Sequence, residues 1–252
     1  MAFWSQWFGR SKPERPSGQP EAIPPLSGET HPKFPYELVM VPGSLALETI
    51  WKLRQESAGF TPVLLGDKED VQRIAEYSDF VAGKAEDVLR AAEGISPADW
   101  FQKRRAEDPE YYQDEPGDWP YKDLEPHTIS SHLDIVSHDP KPQVYIAKVP
   151  TANSWEVPAY LQLGGWNECP PPEAMVAISK YWNERHGAEI ISATGDVLEY
   201  VASRPPTTRE TSLELAEEQF LFCGDLIHQG MGNVTNLAAI LLEGQYWHFW
   251  WD

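Results

Sequence analysis

The residue types best suited to binding or catalysis are concentrated in one Gly- and Pro-rich segment, residues 151–173 (TANSWEVPAYLQLGGWNECPPPE). Loops on a rigid scaffold carry a disproportionate share of functional residues, and Gly164-Gly165 would let a ligand approach the backbone closely. We therefore interpret this segment as a candidate binding or active site. Its candidate residues are Asn153, Trp155, Glu156, Trp166, Asn167 and Glu168. In the alternative interpretation, both tryptophans fold back over the sheet as plugs and the polar side chains bond turn amides.

The same segment contains Cys169, one of only two cysteines in the chain. A thiolate nucleophile needs an adjacent base or cation, and His186 or His228 would have to supply it. Nothing in the spacing demonstrates such a pair. We expect Cys169 and Cys223 to be structural and unbridged, because a chain of this length does not need a disulfide.

Three histidines at residues 127, 132 and 138, with Asp134 and Asp139 nearby, superficially suggest a metal site. Their spacings of 5 and 6 residues fit neither one face of a helix nor a zinc-binding motif. We therefore predict a polar loop, with no metal and no cofactor.

Arg204 and Arg209 flank two prolines at the predicted start of a helix, where the capping-box pattern Thr207-x-x-Glu210 predicts Thr207 as the cap. Backbone N–H groups at a helix N-terminus favour anions, so these arginines predict a site for a small carboxylate or phosphate. Alternatively, each arginine forms a structural bridge to an acidic residue.

The charge of the chain limits its partners. Thirty-nine acidic residues against 20 basic ones give a formal charge of −19, which argues against binding to nucleic acid or anionic lipid and favours a basic partner. Residues 106–126 hold eight acids against the single base Lys122, and we expect Asp114, Glu115 and Asp118 to steer such a partner. We find no apolar stretch typical of a signal peptide or membrane span, so we expect a cytoplasmic protein.

The hydrophobic pattern predicts an α+β fold with a mixed, mostly antiparallel sheet and helices packed on one face in the C-terminal domain, preceded by a smaller α/β region. Proline-rich composition predicts a disordered arm at the N-terminus, and the acidic stretch begins a long irregular connection. The predicted regions are the arm at 1–35, the α/β region at 36–105, the connection at 106–142 and the C-terminal α+β domain at 143–252. Within the last region, the pattern predicts strands at 144–149, 188–193 and 197–202 and a helix at 172–186.

Three separated motifs in the C-terminal region occur in the order found in a known bacterial family. Residues 150–173, RPPTTRE (204–210) and WHFWWD (247–252) resemble the domain-of-unknown-function family DUF4253. The resemblance covers about 145–252 and implies no activity, cofactor or catalytic residue.

Three classes of function are compatible with these observations. The first is an acidic, non-catalytic protein-binding module, such as an immunity-type protein that neutralises a basic partner. The second is a hydrolase-like enzyme that uses the 151–173 loop, and the third is a small-ligand sensor built on its tryptophans. The charge, the acidic stretch and the missing catalytic signature favour the first class.

Overall fold

The computed structural model describes residues 34–77, 84–113, 117–120 and 124–252. The arm predicted at 1–35 lies outside these residues except for its last two positions, and Asp114 and Glu115 also lie outside them. The described residues belong to one compact unit, Pro32–Asp252.

In the part of the chain that the structure describes, six strands form one sheet in the order β1-β3-β2-β4-β5-β6. Strands β2 and β4 run parallel, and the other neighbouring pairs are antiparallel. This confirms the predicted mixed, mostly antiparallel sheet. The strands are β1 (Leu38–Val41), β2 (Thr61–Gly66), β3 (Val144–Val149), β4 (Ala188–Ala193), β5 (Val197–Ala202) and β6 (Tyr246–Trp250).

Within the described residues, eight α-helices surround the sheet, and local sequence signals explain where several begin and end. Ser96 caps α4 by accepting a hydrogen bond from the Asp99 amide, and Gly187 ends α6 in the left-handed conformation. The helices are α1 (Ala46–Glu56), α2 (Lys68–Tyr77), α3 (Lys84–Ala92), α4 (Pro97–Glu107), α5 (Val157–Leu161), α6 (Pro172–His186), α7 (Arg209–Phe222) and α8 (Val234–Leu241).

Three local features differ from the sequence prediction. The cap of α7 is Thr208, which bonds the Thr211 amide, rather than the predicted Thr207. Residues 154–161, predicted as loop, form a 3-10 turn followed by the short helix α5. A π-helical turn at Leu226–Met231 was also not predicted. All three features depend on how neighbouring helices and strands pack, and the periodicity of hydrophobic residues does not predict that packing.

One face of the sheet, called here the aromatic face, is covered by α2 and α4–α8. Trp182 of α6 stacks on Phe249 with ring centroids 5.6 Å apart and meets Trp247 edge-on at 5.8 Å. Tyr200 and Phe222 complete this buried cluster. Burial of so much aromatic surface makes this face the main source of hydrophobic stabilisation.

The opposite face is covered by two different elements. Helix α1 packs Ala46 and Ile50 against Leu64 and Ile146 of the central strands. Over β5 and β6 the cover is the irregular connection rather than a helix, and Ser130 and Ser131 bond a strand residue there. This half is called here the polar face.

Candidate functional site

The predicted site at 151–173 is built around α5, whose apolar residues pack into the core. Val157, Ala159 and Leu161 are fully buried. Trp155 is partly buried and packs against an aliphatic cluster that includes Val176. It also lines a pocket of about 320 Å³ between α3, α4 and α6. Packing of α5 therefore determines where the rest of the segment lies.

The polar candidates of this segment mostly bond within it or to nearby backbone. Glu156 accepts hydrogen bonds from Thr151 and from Asn153 Nδ2, the latter at 3.0 Å. Asn167 Nδ2 donates to the Asp252 carbonyl oxygen at 2.7 Å. These bonds hold the turns in place.

The remaining candidates of the segment point to other neighbours. Glu168 pairs with Arg104 at 2.8 Å, and Arg104 also donates to the Glu168 carbonyl. Trp166 lines a separate small pocket of about 30 Å³ with Met175 and Trp251. The six candidates are thus divided between two pockets and several local bonds.

Cys169 is a buried thiol that makes no hydrogen bond to either base suggested for it. Burial raises its pKa, and no hydrogen bond joins it to His186 or His228. His186 Nδ1 faces the Arg204 carbonyl oxygen, and His228 Nε2 faces the Tyr111 carbonyl oxygen. Cys169 and Cys223 are both free, as predicted.

The other charged candidates have different surroundings. Arg204 donates to the carbonyl oxygens of Asn183 and Glu184 and so caps the end of α6. The Arg209 guanidinium lies 4.4 Å from the ring centroid of Trp119. Asp118 is exposed. The two arginines therefore contact different partners in this structure.

A second polar centre, which sequence reasoning missed, lies on the polar face around Glu199. This side chain is 0% exposed. Its carboxylate accepts hydrogen bonds from the Ser130 amide at 2.7 Å and the Ser130 hydroxyl at 2.8 Å. The Ser131 hydroxyl donates at 2.6 Å and the Ser131 amide at 3.4 Å. A buried carboxylate needs such donors, because leaving one unpaired is costly.

His248 completes the centre from the edge strand. The register of β5 and β6 places His248 directly opposite Glu199, and Nδ1 lies 3.3 Å from Glu199 Oε1. Burial by itself raises the pKa of Glu199, but the bonds from His248, Ser131 and Ser130 together bring it below its ordinary value. The carboxylate is therefore charged at neutral pH.

Two of the histidines considered for a metal site border this centre. Burial lowers the pKa of His127 to about 4, the charge of His248 acts in the same direction, and Glu199 opposes both. Burial also lowers the pKa of His132. Nδ1 of each ring is buried without a hydrogen-bond partner among the described residues. Within those residues, no group of three or more His, Cys, Asp or Glu side chains could hold a metal ion.

A pocket of about 440 Å³ opens beside His248, between the connection, α2 and the ends of β4, β5 and β6. Lys141 in its wall bonds Asp67 and Asp70, both at 2.9 Å, and Arg73 bonds Asp196 at 3.1 Å. The sequence signal for this site was a lone acid in β5 and a histidine in the aromatic β6. Only the strand register shows that they meet.

Comparison with known proteins gives one match. Residues 145–252 match the family described as a domain of unknown function (DUF4253), which confirms the resemblance of the C-terminal region. Glu199 and His248 both lie inside the matched region. No curated protein and no solved structure matches the chain. Within the described part of the chain, no helix is long and apolar enough to cross a membrane.

Proposed function

We propose that the protein is a binding module that captures a basic protein through a rigid turn in the connection, as an immunity-type protein neutralises a basic toxin. The observation that carries this proposal is the exposure of two adjacent aliphatic side chains at the tip of that turn. Ile135 is 87% exposed and Val136 is 85% exposed. Two adjacent exposed aliphatic side chains offer apolar surface that a partner can cover.

The turn is held in one conformation before any partner arrives. Asp134 Oδ1 accepts hydrogen bonds from the amides of Val136 and Ser137, and the Asp134 amide bonds the Asp139 carbonyl at 2.9 Å. Leu133 and Pro140 form a bridge at the base of the turn. A preorganised tip loses little conformational entropy on binding, which favours affinity.

The base of the turn is also fixed to the sheet. On one side, Ser130 and Ser131 bond the buried Glu199 carboxylate. On the other, Lys141 bonds Asp67 and Asp70 at the start of α2. The residues 130–141, called here the presenting hairpin, are therefore a rigid support for Ile135 and Val136.

Charge selects the kind of partner. The chain carries a formal charge of −19, and Asp134 and Asp139 flank the two exposed aliphatic side chains. Asp118, the described member of the predicted steering acids, is exposed. Opposite charge on a partner would speed its encounter with this surface, whereas the aliphatic tip would slow its release.

The test is capture of a partner from extract of the native organism, followed by binding kinetics with the purified partner. We expect the I135S/V136S double variant to release the partner at least about tenfold faster, equivalent to roughly 1.4 kcal/mol or more. Neutralising Asp114, Glu115 and Asp118 together should slow association and flatten its salt dependence.

The matched control is a W155A/W166A variant, which removes two tryptophans that lie outside the presenting hairpin. Trp155 and Trp166 would act as interface anchors if the partner bound the 151–173 loop instead. Faster release from this variant, with unchanged release from I135S/V136S, would move the interface to that loop. Recovery of only acidic partners would contradict the proposal as a whole.

A further inference from the structure

The Glu199–His248 pair has the geometry of an oriented base beside a pocket, whereas partner capture uses only the bonds between Glu199 and the presenting hairpin. His248 Nδ1 faces the buried Glu199 carboxylate at 3.3 Å. Because that carboxylate is charged, it favours the tautomer with the proton on Nδ1, and the lone pair then lies on Nε2. A base held in one tautomer by an acid is the arrangement found in hydrolytic enzymes.

The other ring nitrogen of His248 is open to the pocket. The His248 side chain is 28% exposed and lines the cavity of about 440 Å³. The hydrogen bond that His248 makes among the described residues is at Nδ1, and Nε2 is not one of the buried polar atoms left without a partner. A general base must reach a bound water or substrate in this way.

The serines of this centre do not act as the nucleophile in this arrangement. Ser130 and Ser131 hydroxyls both donate to Glu199, which leaves neither hydroxyl bonded to Nε2. The group that His248 can activate is therefore a water molecule in the pocket.

The walls of the pocket indicate the chemical class of the substrate. Its cations Lys141 and Arg73 are already paired with carboxylates, as described above. Asp134 in the wall accepts two backbone amides. Leu133, Val197 and Trp250 contribute apolar surface. Paired charges and apolar surface favour a neutral molecule with an apolar group over an ion.

We propose that this pocket hydrolyses small, neutral carboxylic esters, with His248 as the general base and Glu199 as its positioning residue. His248 Nε2 takes a proton from water while the water oxygen forms a bond to the acyl carbon. The tetrahedral adduct then collapses, the bond from the acyl carbon to the alcohol oxygen breaks, and the imidazolium returns the proton to the leaving alcohol. Ester and water become acid and alcohol, and Glu199 stabilises the transient imidazolium.

The experiment is hydrolysis of p-nitrophenyl butyrate by the full chain, followed through release of nitrophenolate. We expect His248→Gln to lower kcat/KM by about 100-fold or more. Glu199→Gln should lower kcat with little change in KM, because it disturbs the base and not the ester-binding wall. Circular dichroism shows whether each variant retains its fold.

His228→Gln is the matched control, because His228 is an exposed histidine that does not line the pocket and activated esters react with free imidazole. This variant should hydrolyse the ester at the wild-type rate. Wild-type hydrolysis by a folded His248→Gln variant would overturn the proposal, and so would a wild-type rate no higher than that of an equal concentration of imidazole. Partner capture by His248→Gln should be unchanged, which separates this activity from the proposed function.

Discussion

Two segments are attached to the sheet by different forces. One is the part of the 151–173 segment that precedes α6, residues 151–171, and the other is the presenting hairpin. The first buries Val157, Ala159 and Leu161 on the aromatic-face side of the molecule. The presenting hairpin buries little apolar surface of its own and is held by hydrogen bonds to Glu199 and by Lys141. Its largest aliphatic side chains point outwards.

This difference indicates which of the two segments has side chains free to contact a partner. Apolar packing shares the attachment among several buried side chains. A segment held in this way contributes to stability and exposes few groups that could bind a partner. A segment held by a few polar bonds leaves its apolar side chains free for a partner and places titratable groups beside a pocket. The hairpin is attached through the pairs of Lys141 at one end and through Glu199 at the other, and Glu199 is the buried member of this set.

Removal of that residue should give the largest effect. We expect Glu199→Ala to lower the free energy of unfolding by about 3–5 kcal/mol, because it leaves the partly buried Ser130 donors and the buried Ser131 donors without an acceptor. Urea denaturation measures the loss, and faster amide exchange at Ser130 and Ser131 should accompany it. Glu184→Ala, at an exposed position, should change stability by less than about 0.5 kcal/mol. Equal losses of unfolding free energy in Glu199→Ala and Glu184→Ala would show that Glu199 does not hold the presenting hairpin to the sheet.

A core truncation in 151–171 tests the apolar attachment. Leu161→Ala should cost roughly 2–4 kcal/mol, because the side chain is fully buried and a cavity replaces it. The loss should be nearly independent of pH and salt. Leu45→Ala, at an exposed leucine, is the control for the same change of residue and should have little effect. A small loss of unfolding free energy for Leu161→Ala would show that α5 moves to fill the cavity that the leucine side chain leaves.

The pH dependence of stability should reside on the polar face. The pKa of His127 is lowered to about 4 in the folded protein from 6.5, so the unfolded chain binds the proton first. Stability is therefore complete above pH 6.5 and falls as the pH drops from 6.5 towards 4, by roughly 2–3 kcal/mol.

Glu199 adds a second loss at lower pH. Its folded pKa is lowered, so its contribution is present above 4.5 and is lost as the pH falls through the folded value. Urea midpoints between pH 4 and 7 should show a clearly smaller slope for His127→Gln than for the wild type. Identical slopes would place the titrating groups elsewhere.

The smallest effect should come from the ion pair of 151–171 with α4. Glu168 is exposed, and its partner Arg104 also lies near the rings of Trp100 and Tyr112. A double-mutant cycle of Glu168→Gln and Arg104→Gln should give a coupling of about 0.2–1 kcal/mol, screened by salt. A coupling above about 2 kcal/mol would show that charge also attaches this segment.

Much of the fold was predictable because local patterns decide it. Strands β3, β4 and β5 and helix α6 lie where the periodicity and the stop signals placed them. The mixed, mostly antiparallel sheet followed from their order. The 3-10 turn and α5 were missed, because the tertiary core decides that residues 154–161 coil inward and local periodicity is weak there.

The candidate sites show where sequence reasoning stops. Residue types identified 151–173 as rich in polar and aromatic groups, and they identified His127, His132 and His138 as a loop without metal spacing. They did not identify Glu199 or His248 as a pair, because 49 positions separate them. A single acidic residue in a strand is predicted to be solvent-exposed unless it is known that another segment covers that face of the sheet.

Composition, periodicity and caps by themselves determined the acidic charge, the α+β class and the bounds of most elements, because these depend on residues near one another in the chain. Tertiary structure alone decided that β3 lies between β1 and β2, that the connection covers β5 and β6, and that Glu199 meets His248. Strand order and register depend on how much surface is buried between residues that are distant in the sequence. A local sequence pattern carries no information about those contacts.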